Sequence, residues 1–216
     1  MPPNKKFDPS LIPKFPDLSF EVEMWNAGLK FVAGVDEAGR GALAGPVYAG
    51  AIILPADPGV SQELQGVRDS KQMTASEREY WAFRLQAIGL AWSVGFATHL
   101  EIDEIGIVPA TRCAIARAIE QLVVCPQHLL IDYLANPEIS IPQTCLVKGD
   151  RRALSIAAAS ILAKTARDEQ MRLLDPCYPE YGFARHKGYG TRAHRDALQV
   201  LGPSPIHRKS FHLKSV

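Results

Sequence analysis

Four carboxylates stand where chemistry is often placed. Asp36 and Glu37 are adjacent and close an apolar run that begins at Phe31. Asp132 closes a second apolar run from His128, and Asp168 lies in a long alanine- and leucine-rich stretch. Catalytic and ligand-binding groups of α/β proteins gather at strand ends. Two strand-end acid groups and one from a packing helix can therefore meet. Clustered carboxylates repel and raise one another's pKa. A hard divalent cation relieves this, and an all-oxygen donor set suits Mg²⁺ or Mn²⁺. Four carboxylates suffice for two such ions bridging a scissile phosphate. Taken singly, each acid reads better as a surface residue or a helix cap; only their convergence makes a site.

Asp36 and Glu37 pose a geometric problem, because successive side chains of a strand point to opposite faces. They share one site if the strand twists or ends there, and Gly39 and Gly41 allow such a break. On the long helix, Ser160, Lys164 and Asp168 recur at i, i+4 and i+8 and form one stripe. That stripe is either a plain Lys164–Asp168 ion pair, worth roughly 0.3 kcal/mol, or a polar face turned toward a site.

The elements that must position these groups follow from pattern. Strands are expected over 31–36, 47–54, 91–97, 128–132 and 144–147. Helices are expected from Ser19, as cap, to about Ala27, over 75–88, 109–123, 153–174 and 191–201. Thr74 with Glu77 is a capping box. Pro176 and Pro179 stop the long helix. Three strands in meander order and two more between helices predict an α/β fold, a mixed five-stranded sheet flanked by helices with a helical, basic C-terminal segment. Residues 1–29 form a proline-rich leader, extended or flexible to residue 17, and a short helix; residues 30–180 form the catalytic body; residues 181–216 form the basic segment.

The chain has 216 residues, 47% hydrophobic and 22% charged, which suits one soluble domain with a full core. No apolar run is long enough to span a membrane, and the leader has no secretory pattern. Cys113, Cys125, Cys145 and Cys177 lack metal-ligand spacing and read as buried reduced thiols of a cytoplasmic protein. The net charge of +1 conceals a basic tail: from Gly182 onward Arg185, Lys187, Arg192, Arg195, Arg208, Lys209 and Lys214 face the single acid Asp196. An acidic body with a basic tail suggests a polyanion partner, or simply a solvated basic face.

Several ordered blocks resemble the ribonuclease HII family. They are Gly34-Val35-Asp36-Glu37-Ala38-Gly39-Arg40-Gly41 with Leu43-Ala44-Gly45-Pro46-Val47; Asp69-Ser70-Lys71; Leu130-Ile131-Asp132; Val147-Lys148-Gly149-Asp150; and Ala157 to Lys164 leading to Arg167-Asp168. Tyr181-Gly182-Phe183, His186-Lys187-Gly188-Tyr189-Gly190-Thr191 and Arg208-Lys209-Ser210-Phe211 complete the set. One departure is Tyr133, which follows Asp132 where a glycine is common.

The resemblance implies a ribonuclease H-like fold, cleavage of RNA in RNA–DNA hybrids, and incision 5′ to single ribonucleotides in duplex DNA. It implies catalytic, metal-holding roles for Asp36, Glu37, Asp132 and Asp168 with two Mg²⁺ or Mn²⁺ ions. It assigns ribose reading to Gly39, Arg40 and Gly41 and sugar packing to Tyr189. Lys71, Lys148, Lys164 and Arg192 are then candidate phosphate contacts, which position without reading sequence. A monomer in the cytoplasm is expected, with a replication clamp as a further partner to test. The competing readings are a catalytically silent nucleic-acid binder and the sister ribonuclease HIII. The latter carries an additional N-terminal domain that the residues before the first strand are too few to form.

Overall fold

The computed structural model describes residues 7–211. After a short turn at Pro9–Leu11 come α1 (Ser19–Asn26), β1 (Val32–Ala38), β2 (Val47–Ile53), α2 (Val60–Glu63), α3 (Ala75–Ile88), β3 (Ala91–Ala97), α4 (His99–Ile105) and α5 (Ile107–Glu120). Then follow β4 (His128–Asp132), β5 (Gln143–Leu146), α6 (Leu154–Leu174), α7 (Phe183–His186) and α8 (Arg192–Leu201). The strands form one five-stranded mixed sheet in the order β3-β2-β1-β4-β5. β1 pairs antiparallel with β2 and β2 with β3, whereas β1–β4 and β4–β5 are parallel. This is the expected fold class.

Helices cover both faces, and the alternation of side chains along the strands sorts the core into two layers. Ala33, Val35, Leu129 and Ile131 pack with Ala114, Ile115 and Ala118 of α5. Val32, Ile52 and Leu130 pack with Ile156, Ala157 and Ile161 of α6. α6 lies almost directly on the sheet backbone: a Cβ at Gly34 would strike Ser155, and one at Gly50 would strike the Ala159 carbonyl. Only glycine permits that approach.

Local signals set most boundaries. Thr74 and Glu77 form the expected reciprocal cap of α3. Other expectations need correction. β1 continues two residues past Asp36, because its pairing with β2 persists to Ala38–Tyr48. α4 was not expected, although Thr98 and Glu101 form a second capping box; Gly106, at φ +84°, separates α4 from α5. Ser19 is a helical residue rather than the cap, and Asp17 accepts its backbone N–H at 2.9 Å. Cys125, Cys145 and Cys177 are exposed free thiols and Cys113 is half-buried, since three of them fall on connecting segments or the edge strand β5.

The leader from residue 7 onward is docked rather than free; residues 1–6 and 212–216 lie outside the described residues. Asp17 forms a parallel bridge with Ala153, through Asp17 N–H to the Arg152 carbonyl at 3.2 Å and Leu154 N–H to the Asp17 carbonyl at 2.8 Å. The buried Glu21 accepts the Ser155 N–H at 2.8 Å. It thereby serves one of the amides left unpaired at the start of α6. Arg152 lies over the rings of Phe7 and Phe20, 5.6 and 5.0 Å from their centroids.

Candidate active site

β1 and β4 run side by side only as far as the pair Val35–Ile131. Asp36 and Asp132, the next residues on each strand, sit where the two part. Both project to the α6 face, as Val32 and Leu130 do. Asp150 reaches them from the Gly149–Arg151 turn, which follows Lys148 in the left-handed region at φ +56°. The Gly149 N–H donates to Asp132 Oδ1 at 2.7 Å and ties the turn to the end of β4. Carboxylate oxygens of Asp36, Asp132 and Asp150 all lie within 4.8 Å of one another.

Glu37 follows on the unbroken strand, faces the other side and is not among these three converging carboxylates. Asp36 turns Oδ1 back onto the Glu37 N–H at 2.7 Å, and Glu37 Oε1 accepts from Arg40 Nη1 at 3.1 Å. Burial first, then the charges of Glu37, Asp132 and Asp150, push the Asp36 carboxyl well above the ordinary carboxylate range. Burial, then Asp150 and Glu37, raise Asp132 to about 6 against the Gly149 hydrogen bond. Burial also raises Asp150, opposed by Lys71 Nζ at 3.3 Å from its Oδ2. Three converging carboxylates, two buried and one half-buried, with no imidazole or thiolate among them, suit a hard divalent cation. Its charge would offset the repulsion that raises these carboxyls above their ordinary range.

Asp168 does not join this cluster, contrary to expectation. Its Oδ1 accepts from Lys164 Nζ at 2.6 Å and its Oδ2 from Arg78 Nη2 at 3.1 Å. The reason is its place on α6. It stands two turns beyond Ser160, about 12 Å along the axis. There the Ser160–Lys164–Asp168 stripe faces the segment from Ser70 to Arg78 instead: Ser160 Oγ accepts from Ser70 N–H at 3.4 Å. Asp150, not Asp168, stands with Asp36 and Asp132. Its signal was visible in the Lys148-Gly149-Asp150 motif directly after β5.

Beside the acids, Arg40, Asp69, Lys71, Tyr133, Val147, Lys148 and Arg151 help line an open cleft of about 400 Å³. Lys71 and Lys148 thus stand at the carboxylates. Lys71 is held above its ordinary pKa: burial pulls it down, but Asp150, Asp36 and Asp69 outweigh it. Lys164 is bound to Asp168 and lies 5.1 Å from the Tyr189 ring centroid. Arg192 extends into solvent, 96% exposed.

The loop after β1 is pinned by two arginines that sequence reasoning did not single out. Arg208 donates from Nε to the Gly45 carbonyl, from Nη1 to that of Arg40 and from Nη2 to that of Gly39, at 2.9, 2.9 and 2.8 Å. Arg167, fully buried, donates to the carbonyls of Pro46 and Ala44 at 3.0 and 3.3 Å. Gly39, at φ +97°, has no room for a Cβ because the Arg167 side chain fills that space; a Cβ at Gly41 would meet nothing. The open side of the loop is therefore at Gly41. Tyr189 completes the floor, bridged to Ala42 and lying over Arg167 at 5.0 Å.

The ribonuclease HII family model matches residues 33–214. The ribonuclease HII of Chloroflexus aurantiacus is 50% identical over 199 residues, 91% of this chain and 93% of that protein. The crystal structure of ribonuclease H2 from Pyrococcus horikoshii superposes with a TM-score of 0.68 at 28% identity, covering 83% of this chain and 93% of that one. The structure of the PCNA–ribonuclease HII complex from Archaeoglobus fulgidus shares the fold, with a TM-score of 0.70 at 22% identity over 86% and 97% of the chains. With the family model spanning the whole body and the carboxylate cluster at its strand ends, the chain belongs to the ribonuclease HII family and is a metal-dependent endoribonuclease of the type that degrades the RNA of RNA–DNA hybrids.

Proposed function

We propose that the enzyme also incises duplex DNA on the 5′ side of a single embedded ribonucleotide, leaving 5′-phosphate and 3′-hydroxyl ends. One observation carries this reading: Asp36 and the Gly39-Arg40-Gly41 loop lie on one continuous run, with Tyr189 bridged to Ala42 just beyond it. Groups that hold metal and groups that meet a sugar then share one frame, and the cut is placed relative to the ribose rather than to base sequence.

Asp36, Glu37, Asp132 and Asp150 hold two divalent ions, Mg²⁺ or Mn²⁺. When bound, such ions activate a water and stabilise the leaving 3′-oxygen. Arg40, Lys71 and Lys148 offset the charge of the approaching backbone, and Lys164 and Arg192 serve phosphates farther along the duplex. The 2′-hydroxyl is the feature that separates RNA from DNA at the sugar. The open backbone at Gly41 lets a ribose approach, and the Tyr189 ring packs on the adjoining sugar. Residues 181–216 are the substrate-binding segment in this reading. The setting is the cytoplasm and the working form a monomer. A sliding clamp is a further partner, as PCNA is for the Archaeoglobus fulgidus protein.

The test is a duplex carrying one ribonucleotide, incubated with Mg²⁺ or Mn²⁺ beside an all-DNA control. A nick 5′ to the ribonucleotide is expected. Absence of any nick in both metals, with hybrid cleavage intact, overturns the single-ribonucleotide activity.

A further inference from the structure

Three histidines are buried together behind Tyr189. His186, His194 and His207 come from α7, α8 and the segment after α8. His186 and His194 stack, 4.3 Å apart with ring planes 15° from parallel, and Phe183 closes the cluster edge-on. None belongs to the carboxylate cluster, so their burial needs another explanation.

Their hydrogen bonds leave one tautomer for each ring. The Ser204 N–H donates to His207 Nδ1 at 2.8 Å, so His207 carries its proton on Nε2. That Nε2 is 2.9 Å from His194 Nε2, which must accept. His194 then carries its proton on Nδ1, 3.0 Å from the Tyr189 carbonyl, to which it donates. On the other side, Gly188 N–H donates to His186 Nδ1 at 3.2 Å, and His186 Nε2 donates to the Tyr181 carbonyl at 2.7 Å. The chain of donors runs one way, from Ser204 to Tyr189. It works only while both rings are neutral. Burial favours that state, lowering His194 to about 4 and His207 below its ordinary value.

The relay joins backbone segments that already flank the glycine loop. Leu43 N–H donates to the Gly188 carbonyl at 2.8 Å, and Arg208 N–H donates to the Leu43 carbonyl at 2.9 Å. His207 and Tyr189 thus lie on opposite sides of the Ala42–Ala44 segment, bridged to Ala44 and Ala42 respectively. The imidazole pair closes the ring behind them.

We propose that His194 and His207 are positioning residues whose one-way hydrogen-bond relay fixes the Tyr189 backbone, and through it the angle at which the ring meets the sugar. This rests on the reading of Tyr189 as a substrate contact. Neither histidine touches the reacting atoms. The ring lies against Lys164 and Arg167, but the Tyr189 backbone has few anchors of its own: its N–H goes to the His186 carbonyl, and its carbonyl is shared between Thr191 N–H and His194. Removing the His194 donor leaves the carbonyl with a single short-range partner.

The experiment measures KM and kcat on the single-ribonucleotide duplex, with melting temperature, for His194→Leu, His194→Asn, His207→Asn, Tyr189→Ala and the double variant Tyr189→Ala/His194→Leu. His194→Leu raises KM about tenfold, the effect of one lost hydrogen bond at a buried carbonyl, with kcat within about threefold. His194→Asn places an amide N–H where Nδ1 stood and stays within about threefold of wild type. The double variant is no worse than Tyr189→Ala, because the histidine acts through the tyrosine. Additive losses in the double variant overturn the relay, as does a folded His194→Asn that is impaired like His194→Leu. If His194→Leu does not fold, His207→Asn decides: its carboxamide oxygen still accepts the Ser204 N–H but cannot reach His194. Unchanged KM in that variant overturns the proposal, and a raised KM at unchanged melting temperature supports it. A Tyr189→Ala variant with wild-type KM instead removes the tyrosine reading itself, a different outcome from additivity.

Discussion

The Arg208 guanidinium donates to the Gly39 carbonyl at 2.8 Å, and its two other bonds reach Arg40 and Gly45 on the same loop. A residue from the end of the described chain therefore holds the turn that follows the Asp36-Glu37 pair. Burial lowers Arg208 to about 9, so it remains charged at neutral pH. Arg208→Ala leaves three loop carbonyls short of a donor. The expected cost is about 3 kcal/mol of stability, because bonds from a charged donor are among the stronger ones. KM for a hybrid should rise about tenfold alongside. Arg208→Lys should not restore either, since an ammonium cannot reproduce the planar fork. Thermal unfolding and steady-state kinetics check both.

Asp150 and Asp168 are separable by substitution. Asp150→Asn should lower cleavage roughly 100- to 1000-fold, the several kcal/mol that a metal clamp supplies. Asp168→Asn should keep most activity while losing about 2 kcal/mol of stability, because Lys164 and Arg78 lose their shared acceptor. Hybrid cleavage with calorimetric Mn²⁺ titration reads the first, and melting reads the second. A dead but stable Asp168→Asn would reverse the assignment.

Protons and metal compete for the cluster. With Asp132 raised to about 6, and Asp36 also raised well above its ordinary value, divalent-ion affinity should weaken about tenfold between pH 7 and pH 5. For the metal-free protein the sign runs the other way. A carboxyl whose folded pKa is raised adds stability that is complete below its unfolded value, near 3.8, and lost as pH rises through about 6. Wild type minus Asp132→Asn, measured by denaturant unfolding without metal, should show that decline between pH 4 and pH 7.

Tyr133 occupies left-handed backbone at φ +59° and is 65% exposed. A bulky side chain there costs roughly 1 kcal/mol that glycine does not incur. Tyr133→Gly should raise stability by about 0.5–1 kcal/mol and leave hybrid cleavage within about twofold. Denaturant midpoints and initial rates check this.

Glu21→Ala removes the acceptor for Ser155 N–H at the start of α6 and should cost about 1–2 kcal/mol. Glu21→Gln keeps an acceptor oxygen and should cost less. Chemical denaturation of the two variants side by side gives the comparison.

What was legible in the sequence depended on distance along the chain. β3 and β4, the cap of α3 and the length of α6 come from local pattern, and local pattern placed them. Asp36 and Asp132 were legible because each directly follows an apolar run. Asp150 was passed over for Asp168 because two facts decide between them, and neither is local. One is the turn in which Lys148 takes positive φ and Gly149 N–H reaches back to Asp132; the other is the face of α6 that meets Arg78. The strand break expected at the Asp36-Glu37 pair does not occur, for a similar reason. β4 ends its pairing with β1 there while β2 does not, a difference between two neighbours that β1 itself does not encode. The histidine cluster and the clamp by Arg208 read only as a basic tail until α7, α8 and the following segment folded back on the loop.

The seat of Glu21 on α6 also sets an order of events at the ribosome. The two bonded residues, Glu21 and Ser155, are 134 positions apart. At about 5–20 residues per second, roughly 7 to 27 seconds pass between their synthesis. The leader leaves the ribosome first and yet cannot dock until the start of α6 follows it. Asp150 lies just ahead of that docking point, so the last carboxylate is translated only shortly before the leader's seat exists. The cluster of Asp36, Asp132 and Asp150 is therefore completed only after all five strands of the sheet have been translated.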